Sequence, residues 1–296
     1  MPDMRGGLQV DLGDMKLQSP QLRPDGSHLG VGASDGQGTM VTVFLWKADV
    51  KGGATGCRDR EWPNDRVRKA SEVGMAIKDM KRYEQGEVAI VEYRVPEVQG
   101  YQVNQKSVHA YVAVGNMCGE VHISRTPFRD GDEAVFSRLL SSVHAVPEFE
   151  PGTLDYFRFG SMLYRQEQYK LAAHYYERTM ELDSSSHELS PTLWKVLVDQ
   201  MGMAYGISGD LKRAKAVFEE ALKKEPTYPM FYYNLACAYA EMGDLDAAMS
   251  NLQKAFEYRK NVIEGERMPD PEGDDSFKRY LKNEKFSQAL KALPRD

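Results

Sequence analysis

The stretch MGMAYGISGDLKRAKAVFEEALKKEP, residues 201–226, returns as LACAYAEMGDLDAAMSNLQKAFEYRK, residues 235–260. Gly202, Tyr205, Gly209, Asp210, Ala214, Phe218 and Ala221 become Ala236, Tyr239, Gly243, Asp244, Ala248, Leu252 and Ala255, every one 34 positions on (236 − 202 = 34). A fixed period of this length marks a solenoid of helix pairs, in which each unit buries its apolar stripe only against its neighbours. An earlier copy sits 42 positions upstream (202 − 160 = 42), where Gly160, Ala172 and Tyr176 stand for Gly202, Ala214 and Phe218. The eight additional residues (42 − 34 = 8) fall in the polar run Ser184–Ser190, which predicts a longer turn before Pro191 opens the next helix.

Each recurring residue type has a physical job. Gly160, Gly202 and Ala236 are small where the two helices of a pair cross. Leu163, Tyr205 and Tyr239 fill the space between them, and Ala172, Ala214 and Ala248 let the second helix approach. Gly209-Asp210 and Gly243-Asp244 supply a glycine stop followed by an aspartate cap, and Pro226 punctuates the exit from the second unit.

At these residues the chain resembles the tetratricopeptide repeat family, in three copies over about Thr153–Lys260. It departs from the family pattern at Thr179, where alanine is usual, and at Ala236, where glycine is. The resemblance implies a concave groove lined by the first helix of each pair. On this sequence that lining is Phe157, Arg158, Ser161, Tyr164 and Arg165, then Asp199, Gln200 and Met203, then Met230, Tyr233, Asn234, Cys237 and Glu241. Aromatic and methionine side chains among amides suit an extended peptide or a helix laid in a groove. Chaperone-binding members of the family grip a carboxylate with Lys, Asn and Arg; here those positions carry Phe157, Ser161, Gln200, Met230 and Asn234, which disfavours that role. A competing reading has the groove filled by the chain's own N-terminal domain or capping helices.

Beyond the third copy an acidic link, Glu264–Asp275, leads to Phe277, Tyr280, Leu281, Phe286, Leu290 and Leu293 at helical spacing. These predict short amphipathic helices that cap the solenoid. Asp270-Pro271-Glu272-Gly273-Asp274 is no EF-hand, since its glycine is misplaced and the twelfth position is Leu281.

The 296 residues allow two domains, and 42% hydrophobic with 28% charged residues is ordinary globular composition. A net charge of −6 gives no electrostatic reason to bind nucleic acid or an anionic membrane. No apolar run approaches a membrane span, and Met1–Asp14 shows neither a basic nor an apolar leader segment. The expectation is a cytoplasmic chain, or a periplasmic or secreted one if this is a mature form. Cys57, Cys118 and Cys237 form no CxxC pair; Cys57 and Cys118 are either a disulfide or two buried thiols.

The N-terminal half has another rhythm. Leu8–Leu12, His28–Ala33, Thr39–Trp46, Glu87–Val95, Lys106–Val114 and Glu120–Arg125 read as strands, and Asp65–Arg82 and Asp132–Val146 as helices. A hairpin turning at Gly115-Asn116-Met117-Cys118 would set Val112 opposite Val121 and Ala110 opposite Ile123. The fold class is therefore α+β: an antiparallel-sheet α/β sandwich over residues 1–147, helix pairs over 148–263, and the link with its capping helices over 264–296. The closing stretch AYVAVGNMCGEVHISRTPF, followed by AVFSRLLSSVHAV, is similar to the last hairpin and helix of the PsbP-like α/β/α sandwich. That resemblance implies a binding or assembly module.

His109, Tyr111, Cys118, Glu120 and His122 share one face of this hairpin, and such a set could ligate a metal. An ordinary polar or helix-covered sheet face is the preferred reading, so no metal is assigned. Gly30–Gly36 precedes a strand, not a helix, and no GK[ST] occurs, which excludes a phosphate-binding loop. Cys57 lacks a neighbouring histidine to activate it. The expected function is thus a non-enzymatic scaffold or assembly factor with a protein or peptide partner, no cofactor and no catalytic residue. Two alternatives stay open: an enzyme or metal or small-molecule binder acting through the N-terminal domain, and homodimerisation through the array.

Overall fold

The computed structural model describes residues 6–23, 26–63 and 65–294. Part of the leader reading, Met1–Arg5, lies outside them. The chain divides into two compact units, Met1–Glu150 and Pro151–Asp296, and its overall class is α+β.

The first unit runs β1 (Gly7–Gln9), β2 (Lys16–Leu17), β3 (Gln21–Leu22), β4 (Leu29–Ser34) and β5 (Thr39–Lys47), then α1 (Gly53–Glu61) and α2 (Arg66–Glu72). It continues with β6 (Lys78–Gln85), β7 (Val88–Val98), β8 (Tyr101–Val114), β9 (Met117–Arg125), α3 (Glu133–Ser141) and β10 (His144–Val146). The main sheet is antiparallel in the order β2-β4-β5-β9-β8-β7-β6, with β3 also on β4, while β1 and β10 form a separate pair. Because strand side chains alternate, the sheet has two buried faces. On one, Val41, Val43, Ile90, Val108, Ala110, Val121 and Ile123 pack against Phe136, Leu139 and Val143 around α3. On the other, Trp46, Val91, Tyr93, Tyr111 and Cys118 pack under Cys57 and Trp62 of the α1 region. Helices on both faces make a sandwich.

Several expectations change. The helix over Asp65–Arg82 stops at Glu72: Gly74 turns the chain at φ 79°, and Lys78–Gln85 becomes the edge strand β6. Every residue of β6 is exposed, so no alternation marked it in the sequence. The helix over Asp132–Val146 likewise ends at Ser141, and His144–Val146 pairs with Gln9–Gly7. Strand Leu8–Leu12 shrinks to Gly7–Gln9. The β8–β9 hairpin turns at Gly115-Asn116 alone, with Val114 opposite Met117, Val112 opposite Gly119 and Ala110 opposite Val121. A slip of two residues keeps every side chain on its expected face, because the strand period is two. Cys57 and Cys118 form a disulfide, Cα–Cα 5.8 Å.

The second unit contains three helix pairs. They are α4 (Thr153–Arg165) with α5 (Tyr169–Ser186), α6 (Pro191–Ile207) with α7 (Leu211–Lys224), and α8 (Pro229–Met242) with α9 (Leu245–Glu257). Two short helices follow, α10 (Asp275–Lys278) and α11 (Glu284–Lys291). Asp210 accepts from the Arg213 N–H at 3.2 Å and Asp244 from the Ala247 N–H at 3.0 Å, so both aspartates cap as expected. The turn expected over Ser184–Ser190 is shorter, since α5 continues to Ser186 and His187 closes it in the left-handed region.

The crossing positions explain why one repeat tolerates alanine. A Cβ on Gly160 would lie 2.8 Å from Tyr176 Cδ1, and one on Gly202 would lie 2.7 Å from Phe218 Cε1 and nearer still to Cζ. The third pair has Ala236 against Leu252, both buried in one cluster. A smaller partner across the crossing leaves room for the methyl. Thr179, also a departure, satisfies its buried hydroxyl by donating to the Tyr175 carbonyl at 2.8 Å.

Candidate functional site

The first helices α4, α6 and α8 carry the residues expected to line a groove. Their polar side chains bond across neighbouring repeats. The Ser161 hydroxyl donates to Gln200 Oε1 at 3.2 Å, and Tyr176 donates to both Ser161 and Gln200. The Tyr164 hydroxyl reaches Met203 Sδ at 3.7 Å, and the Asn234 amide donates to Asp199. Gln200, Ser161 and Asp199 therefore form a seam joining α4 to α6 to α8. Asp199 is half-buried, and desolvation, followed by the charge of Glu266, pushes its carboxyl up to about 7 against the opposing Asn234 hydrogen bond.

The three repeats are not equally open. Arg158 and Arg165 on α4 are exposed, and Phe157, Tyr164 and Met203 are half-buried. On α8, by contrast, Tyr233 is 1% exposed and Asn234 is buried too. The chain's own link lies against this helix. Tyr228 donates to the Glu266 carboxylate at 2.8 Å, and Tyr233 to Asp274 Oδ2 at 3.0 Å. Tyr280 donates to the Ala240 carbonyl at 2.9 Å, while Phe277, Phe286, Leu290 and Leu293 join the core of α8 and α9. Tyr233, expected on an open groove wall, is a core residue, and Asn234 is buried beside it. Met230 is half-buried against the cluster that holds Ile263 from the start of the link. The signal that could have revealed this is two tyrosines, Tyr228 and Tyr233, at the start of one repeat, followed by a link with Glu266 and Asp274 as acceptors.

A cavity of about 510 Å³ remains between α6 and α8. Met203, Gly206, Ile207 and Phe218 wall one side; Asn234, Cys237 and Glu241 wall the other, and Asp274 of the link with Ser276 of α10 completes the lining. Cys237 is a free thiol, and burial first, then the charges of Asp274 and Glu241, hold it protonated well above its ordinary range.

In the first unit His109, Tyr111, Cys118, Glu120 and His122 do share a face. The His109 and His122 rings stack at 4.0 Å and 4°. His109 Nδ1 lies 2.6 Å from Glu120 Oε1, and its Nε2 lies 3.1 Å from the Tyr93 hydroxyl. Burial lowers both histidines to about 3, helped at His109 by Arg66 and at His122 by His109, while burial raises Glu120. Stacked parallel rings do not aim their nitrogens at one ion, and no group of three or more His, Cys, Asp or Glu is placed for a metal among the described residues. Cys118 is spent in the disulfide.

Among the described residues no helix is long and apolar enough to cross a membrane. Stacked helix pairs with an inner face of this composition define an interaction solenoid. Residues 207–264, within the C-terminal unit, match the model of the tetratricopeptide repeat. No curated protein matches the sequence. Among solved structures the chain is similar to YrrB, a TPR protein with an unusual peptide-binding site, at 23% identity and TM-score 0.33. That match covers 44% of this chain and 59% of YrrB. It is similar to the Sgt2 TPR domain from Aspergillus fumigatus at 20% identity and TM-score 0.34, over 49% of this chain and 85% of that one. It is also similar to cyanobacterial PsbP from Synechocystis sp. PCC 6803 at 16% identity and TM-score 0.30, over 45% and 94%.

Proposed function

We propose that this protein is a non-enzymatic interaction scaffold that holds a peptide or protein segment along the inner face of its repeats. The chain's own acidic link already contacts Tyr228 and Tyr233 at the third repeat, so the partner's path runs over the first two repeats and ends at the recess between the second and the third. There Phe157, Tyr164 and Met203 offer partly exposed apolar surface beside Arg158 and Arg165. The observation that carries the reading is the cavity of about 510 Å³ opening beside Met203, Cys237 and Glu241. Half-exposed aromatic and methionine side chains next to such a recess are what an extended segment needs for anchoring. The test is a pull-down from native lysate with the full chain and with Tyr164→Ala/Met203→Ala. A partner recovered by the first and lost by the second supports the groove; identical recoveries refute it.

A further inference from the structure

We propose that the cavity between the second and third repeats receives one basic side chain, Lys or Arg, carried by the partner segment. This deepens the groove reading and rests on it. Met203, Ile207 and Phe218 give the recess an apolar side suited to the methylene stem of such a residue, and Glu241 and Asp274 supply carboxylates at the other side. No Lys or Arg lines the cavity among the described residues. Asp274 accepts from Tyr233 at Oδ2 and from the Ser276 N–H at Oδ1, at 3.0 and 2.9 Å, and from the Cys237 thiol at Oδ2, 3.8 Å. A carboxylate has about four lone-pair positions, so these bonds fix its orientation and leave acceptor capacity.

The electrostatic surroundings agree. The thiol of Cys237 and the phenol of Tyr233 are both pushed up, by burial first and then by neighbours that include Asp274. Of the two only Cys237 lines the cavity, and beyond burial it feels the carboxylates of Asp274 and Glu241, charges that a carboxylate ligand would add to and a cation would offset. Arg279 shows the interaction within the chain: its guanidinium lies 3.8 Å from Glu241 while also bonding the Ala240 carbonyl. It approaches Glu241 without lining the cavity. An arginine from the partner would meet Glu241 from the cavity side, with a planar fork matched to carboxylate geometry.

The experiment measures binding of the full chain to immobilised dodecapeptides of one Gly/Ser/Leu host with Arg, Lys, norleucine or Glu at the centre. Arg and Lys peptides are expected to bind about tenfold tighter than norleucine, with Glu weakest, and the advantage to shrink with salt. Glu241→Gln should flatten the preference. Glu241→Lys, at an exposed position that leaves the core intact, should invert it toward Glu; circular dichroism checks that helix content is unchanged. Norleucine binding as well as Arg, an order unchanged in Glu241→Lys, or no binding by any peptide would each overturn the inference. Peptides that bind without charge preference and are lost in Tyr164→Ala/Met203→Ala would leave the groove reading standing alone. If that pull-down pair also recovers identical proteins, both fall.

Discussion

Replacing Gly202 by alanine puts a methyl where the Phe218 ring already sits, with Cε1 and Cε2 both 2.7 Å away. Phe218 is buried on a helix packed across the crossing, so the ring or its helix must shift to admit the methyl. Overpacking of this kind costs about 1–3 kcal/mol. Alanine in a helix interior regains about 1 kcal/mol over glycine, so the single substitution should lose only about 0–2 kcal/mol. The informative quantity is the coupling with Phe218→Leu, which recreates the Ala236–Leu252 pair of the third repeat. Phe218→Leu alone should cost about 1–2 kcal/mol through the volume it vacates. In the double variant the methyl occupies that volume while the helix-propensity gain persists, so it cancels from the cycle. Coupling should therefore favour the pair by the relieved overpacking plus the refilled volume, about 2–5 kcal/mol. Urea unfolding of the four proteins, followed by helix circular dichroism at constant m-value, gives the number. Coupling below about 0.5 kcal/mol would refute the claim that the glycine exists to admit the ring.

Two further outcomes concern the first unit. His109 and His122 have native pKa values of about 3 against an ordinary 6.5, so the unfolded chain binds the extra protons. Their stabilisation is complete above pH 6.5 and is lost as pH falls toward 3, with a slope of up to about 2.7 kcal/mol per pH unit while both are differentially protonated. Glu120, raised by burial, acts in the opposite sense, costing stability as pH rises above the usual carboxylate range. Melting curves between pH 7.5 and 4 check this; a His109→Gln/His122→Gln chain with the same acid sensitivity would contradict it. The Cys57–Cys118 bond joins residues 61 apart, and loop closure of that length restrains the unfolded chain by about 4 kcal/mol. Reductant, or Cys57→Ala/Cys118→Ala, should lower the melting transition of the first unit by many degrees; an unchanged transition would mean the bond carries no stability.

The sequence is most legible where the deciding contacts are local. Alternation put His109, Tyr111, Glu120 and His122 on one face, and a two-residue error in register left that intact. The turn length was not legible, because Met117 and Cys118 suit either turn or strand. Lys78–Gln85 carries no strand signal, since all its residues are exposed at the edge of the sheet, where charge protects against further pairing and erases periodicity. Gly53–Glu61 gave no helical signal, having no apolar stripe; its place is fixed by Cys57 in the disulfide and by Trp62 against Tyr93 and His109.

The sequence by itself determined the repeat array: its period, its aspartate caps and the pairing of small with large residues at each crossing. All of these are exchanges between residues within one helix pair, so spacing encodes them. Only the tertiary structure decided what the inner face presents. Tyr233 meets Asp274 41 residues away, and that fold-back makes a core residue of an expected groove wall while leaving Met203, Cys237 and Glu241 around an open cavity. No periodicity records a contact between a repeat and the irregular segment that follows it; the bond forms because a buried phenol requires an acceptor and the link supplies one.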